Sequence, residues 1–169
     1  MRLSLRFMKS RETSGTSGFT LVELLMTMAL LLILGASAVP LYGNLYTESQ
    51  VDEVADLMVQ MLRTTRVRSQ AGLDDATHGF YVDARSYVLY EVSAGVTPVE
   101  YSNRNASFDF VVSMPSAITL STSIPAGDLI FTRPRGIPSI AATETITITH
   151  ESGARRDIEI NSFGIISLR

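Results

Sequence analysis

Residues able to do chemistry are few and scattered in this 169-residue chain. There is no cysteine, which removes disulfides, thiolate metal sites and cysteine nucleophiles. His78 and His150 lie far apart with no zinc-ligand spacing and read as structural or solvated. Asp74 and Asp75 are adjacent carboxylates, but calcium needs about six to eight oxygen ligands and neighbouring Thr77 adds little, so a solvated loop is expected. Serine and threonine are plentiful, yet nothing sets a histidine base or an oxyanion hole beside any of them. No catalytic residue, metal site or cofactor is predicted, and the chain is not expected to be an enzyme. The group that most needs a reason is Glu23, the only ionisable residue between Phe19 and Val39, in FTLVELLMTMALLLILGASAV.

At 1.5 Å of rise per residue, about 20 apolar residues cross the hydrocarbon core, and this run is long enough to do so. Arg2, Arg6, Lys9 and Arg11 precede it, opposed only by Glu12, and no basic residue follows until Arg63. That asymmetry places residues 1–18 in the cytoplasm and the remainder outside, with a single pass through the membrane. The first 18 residues carry +3, so the whole-chain charge of −3 leaves −6 on the rest, which argues against general nucleic-acid affinity. A carboxylate near the centre of a membrane helix costs roughly 2.5 to 3.5 kcal/mol. Either Glu23 reaches the cytoplasmic interface, or it pairs with a cation from another chain, such as the α-amino group that cleavage after Gly18 would free on Phe19. A conventional secretory signal, cut near Ala36-Ser37-Ala38, is the competing reading.

The string Gly18-Phe19-Thr20-Leu21-Val22-Glu23-Leu24-Leu25, behind a short basic leader, resembles the class III signal of type IV pilins and type II secretion pseudopilins. The resemblance implies cleavage after Gly18 by a membrane aspartyl prepilin peptidase and N-methylation of Phe19. It also implies that Glu23 pairs with the terminal amine of a neighbouring subunit during assembly. Pro40 stands where pilin helices commonly carry a proline, and a proline inside a helix removes a hydrogen bond and kinks it.

These residues must be positioned by one long helix and a head. After Pro40, Val51, Val54, Met58, Met61 and Leu62 recur at helical spacing opposite Glu48, Asp52, Glu53, Asp56, Gln60 and Arg63. The helix is expected from Phe19 to Ala71, about 80 Å long, with Gly72 as its stop. The remainder reads as β-structure. A hairpin pairs Gly79–Val82 with Tyr87–Tyr90 around Asp83-Ala84-Arg85-Ser86; short strands fit Phe108–Val112, Ala117–Leu120 and Leu129–Phe131; and a C-terminal meander runs through Thr145–Thr149, Asp157–Ile160 and Gly164–Leu168. The fold class is α+β and pilin-like, with a leader at 1–18, a transmembrane or filament-core helix at 19–45, an amphipathic half at 46–71 and a β-rich head at 72–169.

The head is similar to the GspH/FimT subgroup of minor pilins and pseudopilins in RTTRVRSQA (63–71), IFTRPRG (130–136) and the closing GARRDIEINSFGIISL. This implies a structural filament subunit. Its expected partners are prepilin peptidase, other pilins or pseudopilins, an inner-membrane assembly platform, and membrane lipid before assembly. Some relatives in that subgroup bind DNA through a basic C-terminal region, which makes Arg133, Arg135, Arg155, Arg156 and Arg169 the candidates for that alternative. Asp157, Glu159 and Glu151 dilute their charge. Arg63, Arg66 and Arg68 form a second basic group late in the helix, expected to pair with acidic residues.

Overall fold

A computed structural model describes residues 18–169, except for the side chains of residues 37–42 and 44. The leader expected at 1–18 therefore lies outside the described residues apart from Gly18, and so does the side chain of Pro40. The chain divides into two compact units, Met1–Leu41 and Tyr42–Arg169.

Helix α1 runs from Leu21 to Ala71. It starts two residues later than expected because Thr20 caps it: the Glu23 amide donates to the Thr20 hydroxyl at 3.2 Å, and the Leu24 amide donates to the Thr20 carbonyl at 3.1 Å. It ends where Gly72 enters the left-handed region at φ 63°, its amide donating to the Ser69 carbonyl. In the first unit the side chains from Leu21 to Leu34 are exposed throughout. Among the described residues no helix is long and apolar enough to cross a membrane; Ser37–Val39, which complete the expected span, have side chains outside the description.

The second unit is a helix segment packed on two antiparallel sheets. Strands β1 (Thr77–Asp83), β2 (Ser86–Val92), β3 (Phe110–Ser113), β5 (Asp128–Thr132) and β6 (Ile137–Pro138) form one sheet in the order β3-β2-β1-β5-β6. Strands β4 (Ile118–Thr122), β7 (Glu144–His150), β8 (Arg155–Ile160) and β9 (Ile166–Leu168) form the other, in the order β4-β7-β8-β9. The expected C-terminal meander is β7-β8-β9, and β4 crosses over to pair with β7 at its edge. The hairpin is tighter than expected, since Asp83 pairs with Ser86 and only Ala84 and Arg85 turn. The strand expected at Phe108–Val112 begins at Phe110, because Ala106–Phe108 is a short 3-10 turn capped by the Asn105 side chain.

Both sheets offer their apolar face to α1. Alternation puts Ile146, Ile148, Ile158 and Ile160 inward and Thr145, Thr147 and Thr149 outward. From the other sheet, Phe80, Val82, Tyr87, Leu129 and Phe131 join the same core, each large side chain contributing about 1.5 to 3 kcal/mol on burial. The helix stripe that meets them is Val51, Ala55, Met58, Val59 and Leu62, continued by the buried Thr65 and Ser69. Val54 and Met61, expected within the stripe, lie at its margins and are only partly buried. Strand β2 is buried on both faces, because residues 93–109 fold over its outer side and pack Val99 and Tyr101 against Val88, Tyr90 and Val92.

Candidate functional site

In the first unit, Gly18, Phe19 and Thr20 precede α1 and are exposed, Phe19 at 79%. Glu23 is the acidic residue of the first turn, where the helix dipole favours negative charge. Thr20 and Glu23 stand in the S/T-x-x-E relation of a capping box. That spacing was readable in the sequence and adds a helix-starting role for both residues beside any assembly role of Glu23.

In the second unit the three segments that carry the GspH/FimT resemblance converge on one side chain. Arg66 donates from Nε to the Gly136 carbonyl at 3.1 Å, and from its two terminal nitrogens to the carbonyls of Gly164 at 2.6 Å and Phe163 at 3.0 Å. Gly136 follows β5 in the first sheet, and Phe163 and Gly164 follow β8 in the second, so one guanidinium ties the helix to a loop of each sheet. The two glycines are required there. Both have positive φ, 61° and 76°; a Cβ on Gly136 would stand 2.6 Å from the Gln70 side chain, and one on Gly164 would stand 3.1 Å from the Arg66 guanidinium. Gln70 adds a hydrogen bond to the Arg135 carbonyl at 3.0 Å. Arg66 was expected to pair with acids; it satisfies carbonyls instead, and its charge has no carboxylate beside it among the described contacts.

Four of the five arginines considered for DNA are engaged with carboxylates. Arg133 pairs with Asp75 at 2.9 Å, Arg155 with Asp157 at 2.9 Å, Arg156 with Asp52 at 2.6 Å, and Arg169 with Glu159 at 3.2 Å. A hydrogen bond from Thr147 at 2.7 Å, and then Arg155, hold the Asp157 carboxyl below the usual range. Arg135 is exposed. The five are not brought together into one uncompensated surface, so the arrangement gives the DNA-binding alternative no support.

The histidines serve the fold. His150 Nδ1 accepts from the Ser152 amide at 3.0 Å and shapes the β7–β8 turn. His78 is buried opposite Glu91, with Nε2 3.9 Å from a carboxylate oxygen and Nδ1 without a partner. Burial, and then Arg68, lower the His78 pKa, while burial, and then Asp74, raise that of Glu91. The Ser69 hydroxyl brackets the His78 backbone, accepting from its amide at 2.9 Å and donating to its carbonyl at 3.2 Å, which seats the last turn of α1 on β1. Among the described residues no group of three or more His, Asp or Glu is placed to hold a metal ion.

A second polar cluster lies on the outer side of β2. Tyr90 donates to the Asp128 carboxylate, which also accepts from the Tyr101 amide at 2.9 Å. Tyr101 stacks on Tyr81 with ring centres 3.9 Å apart, and the Arg104 guanidinium lies 3.9 Å from the Tyr101 ring centre. Burial, reinforced by Asp128, pushes the Tyr90 hydroxyl well above its ordinary pKa, so it stays a donor.

Residues 13–39 match the family described as the prokaryotic N-terminal methylation motif. No curated protein matches the sequence. Among solved structures, the chain is similar to the minor pseudopilin EpsH from the type 2 secretion system of Vibrio cholerae, with a TM-score of 0.54 at 13% identity, over 71% of this chain and 96% of that one. The chain thus carries a prokaryotic N-terminal methylation motif and, in its helix and two-sheet head, shares the fold of a minor pseudopilin.

Proposed function

We propose that the chain is a minor pilin or pseudopilin, a structural subunit of a type IV pilus or type II secretion filament that acts by assembling and not by catalysis. The observation that carries this reading is the methylation motif at residues 13–39, overlapping a helix whose described apolar side chains from Leu21 to Ile33 are exposed. Such a surface is stable only against lipid or other helices. Prepilin peptidase cuts after Gly18 and the new amine of Phe19 is methylated. Before assembly the apolar segment sits in the inner membrane with the leader in the cytoplasm and the head outside. On the assembly platform it then exchanges lipid for the helices of neighbouring pilins. In that exchange cohesion comes from close side-chain packing between helices, since lipid is as apolar as the helix surface it leaves.

Glu23 sets register by pairing with the Phe19 amine of a neighbour, which offsets the roughly 2.5 to 3.5 kcal/mol cost of its charge in an apolar setting. Pro40, by its chemistry, is the point where the helix bends between the anchor and the head. Mass spectrometry of the mature N-terminus tests the reading. N-methylated Phe19 as the first residue supports it, whereas a start near Val39 means an ordinary secretory signal and refutes it.

A further inference from the structure

The first sheet ends on one side at an open strand, β3. The Met114 amide donates to the Arg85 carbonyl at 2.9 Å and the Asn105 amide to the Glu91 carbonyl at 2.9 Å, so the odd-numbered residues of β2 turn their backbone groups toward β3. In an antiparallel pair bonded and non-bonded couples alternate, which makes Tyr87–Val112 and Leu89–Phe110 the bonded ones. The amides and carbonyls of Val111 and Ser113 therefore point away from β2, and among the described residues no bond from another element reaches them. Sheet edges are normally blunted by proline or charge, as by Pro138 in β6 at the opposite edge, but Phe110-Val111-Val112-Ser113 carries neither. Phe110 is 50% and Val111 55% exposed.

The same edge runs beside a seam against α1, along which Val54, Leu57, Met61 and Thr64 recur at helical spacing. Two recesses follow one another there. One of about 240 Å³ lies between Val54 and Leu57 and the Val112–Met114 end of β3, and one of about 340 Å³ between Met61 and Thr64 and the Phe108–Phe110 end. The two ends differ in charge. Glu53 is the one charged residue that lines the first recess. Arg68 and Asp109 line the second, where Asp109 is held by Arg104 at 2.7 Å and Arg68 is in no ion pair among the described residues.

Unpaired edge amides and carbonyls are matched by another extended backbone, and alternate side chains of an added strand fall on one face. We propose that the open edge of β3 accepts an extended segment of another protein as an added antiparallel strand, its apolar side chains at alternate positions seated in the two recesses beside α1. Antiparallel addition sets the charge order of the segment: a basic residue at its N-terminal end meets Glu53, and an acidic residue at its C-terminal end meets Arg68. The chain's own described strands are all paired within its sheets, and a second copy added edge to edge brings the same unfilled seam and nothing to fill it. The site stands on the head alone and does not depend on the filament reading.

The test uses the full-length chain in detergent and a synthetic peptide of about seven residues, the length of a strand, in which leucine and threonine alternate between an N-terminal lysine and a C-terminal glutamate. Binding is read by fluorescence anisotropy, and amide exchange by mass spectrometry. The peptide is expected to bind and to slow exchange across residues 110–113, while a peptide of the same composition with its leucines adjacent binds about tenfold more weakly. Val111→Pro removes an outward amide that β2 does not use, so this variant is expected to melt near wild type and to bind the peptide at least about tenfold more weakly. Leu57→Glu, on the exposed side of the seam, weakens binding without touching β3 and serves if the proline variant fails to fold. Glu53→Lys weakens binding of the lysine peptide and leaves a peptide with threonine in place of that lysine unaffected. No binding, equal binding of the two leucine arrangements, or binding that survives Leu57→Glu overturns the proposal. So does linkage of Val111→Cys chains to one another in membranes by a short bis-maleimide, which the lack of native cysteine makes unambiguous and which means that a second copy occupies the edge.

Discussion

Replacing Arg66 with alanine removes three hydrogen bonds from a charged donor, to Gly136, Phe163 and Gly164. Bonds to charged groups contribute about 1.5 to 3 kcal/mol each when the acceptor would otherwise stay unsatisfied. The Phe163 end is exposed and water can take over there, so the loss sums to about 3 kcal/mol rather than three full bonds. For the unit Tyr42–Arg169, of 128 residues, about 3 kcal/mol lowers Tm by ~10 °C. Urea unfolding read with m of ~1–3 kcal/mol/M gives the same quantity independently. Arg66→Lys supplies a point charge in place of a planar fork, reaches fewer of the three carbonyls and recovers less than half of the loss. Arg63→Ala, one turn away, serves as the control and is expected within ~0.5 kcal/mol of wild type. A loss below about 1 kcal/mol for Arg66→Ala, or a lysine variant as stable as wild type, refutes the view that carbonyl capture is what this arginine does.

Glu23→Ala is expected to remain in the membrane fraction while its share in sheared filaments falls; equal incorporation rejects the pairing role. His78 has its pKa lowered below the ordinary 6.5, so the unfolded chain takes up a proton first and stability falls as pH drops through 6.5. Glu91, raised above 4.5, acts in the opposite sense towards the lower end of that range, so His78→Gln should flatten the loss just below pH 6.5 in pH-dependent denaturation. Asp128→Ala frees the Tyr90 hydroxyl and the Tyr101 amide, and amide exchange should rise across residues 93–109 with a stability loss of about 2 kcal/mol. Gly164→Ala, at φ 76° and with its Cβ 3.1 Å from Arg66, is expected to cost about 1 to 3 kcal/mol by thermal melting.

The elements with a strict period were legible from sequence. Alternation in Thr145–Thr149 and Asp157–Ile160 specified both the strands and their buried isoleucine face, and the helical recurrence from Val51 to Leu62 located the packed half of α1. What escaped were features decided by partners distant in sequence. The transfer of β4 to the second sheet depends on pairing with β7, about 28 residues away, and no local pattern in Ile118–Thr122 encodes that choice. Arg66 looked like one of three interchangeable cations, since nothing around it tells that its acceptors lie some 70 and 98 residues further on. The Thr20-x-x-Glu23 cap, by contrast, was local and could have been read.

The covalent route from the helix into the head runs through Gly72 into β1 alone. Tension applied along α1 would, by that route, peel the first sheet from one strand. Arg66 changes the load path. By gripping the loop after β5 and the loop after β8, it delivers the same pull to both sheets at once, while Ser69 clamps β1 at His78. Mechanical resistance of the head is then shared between two sheets, and an extension experiment on an Arg66→Ala chain should find that it yields in smaller, sequential steps.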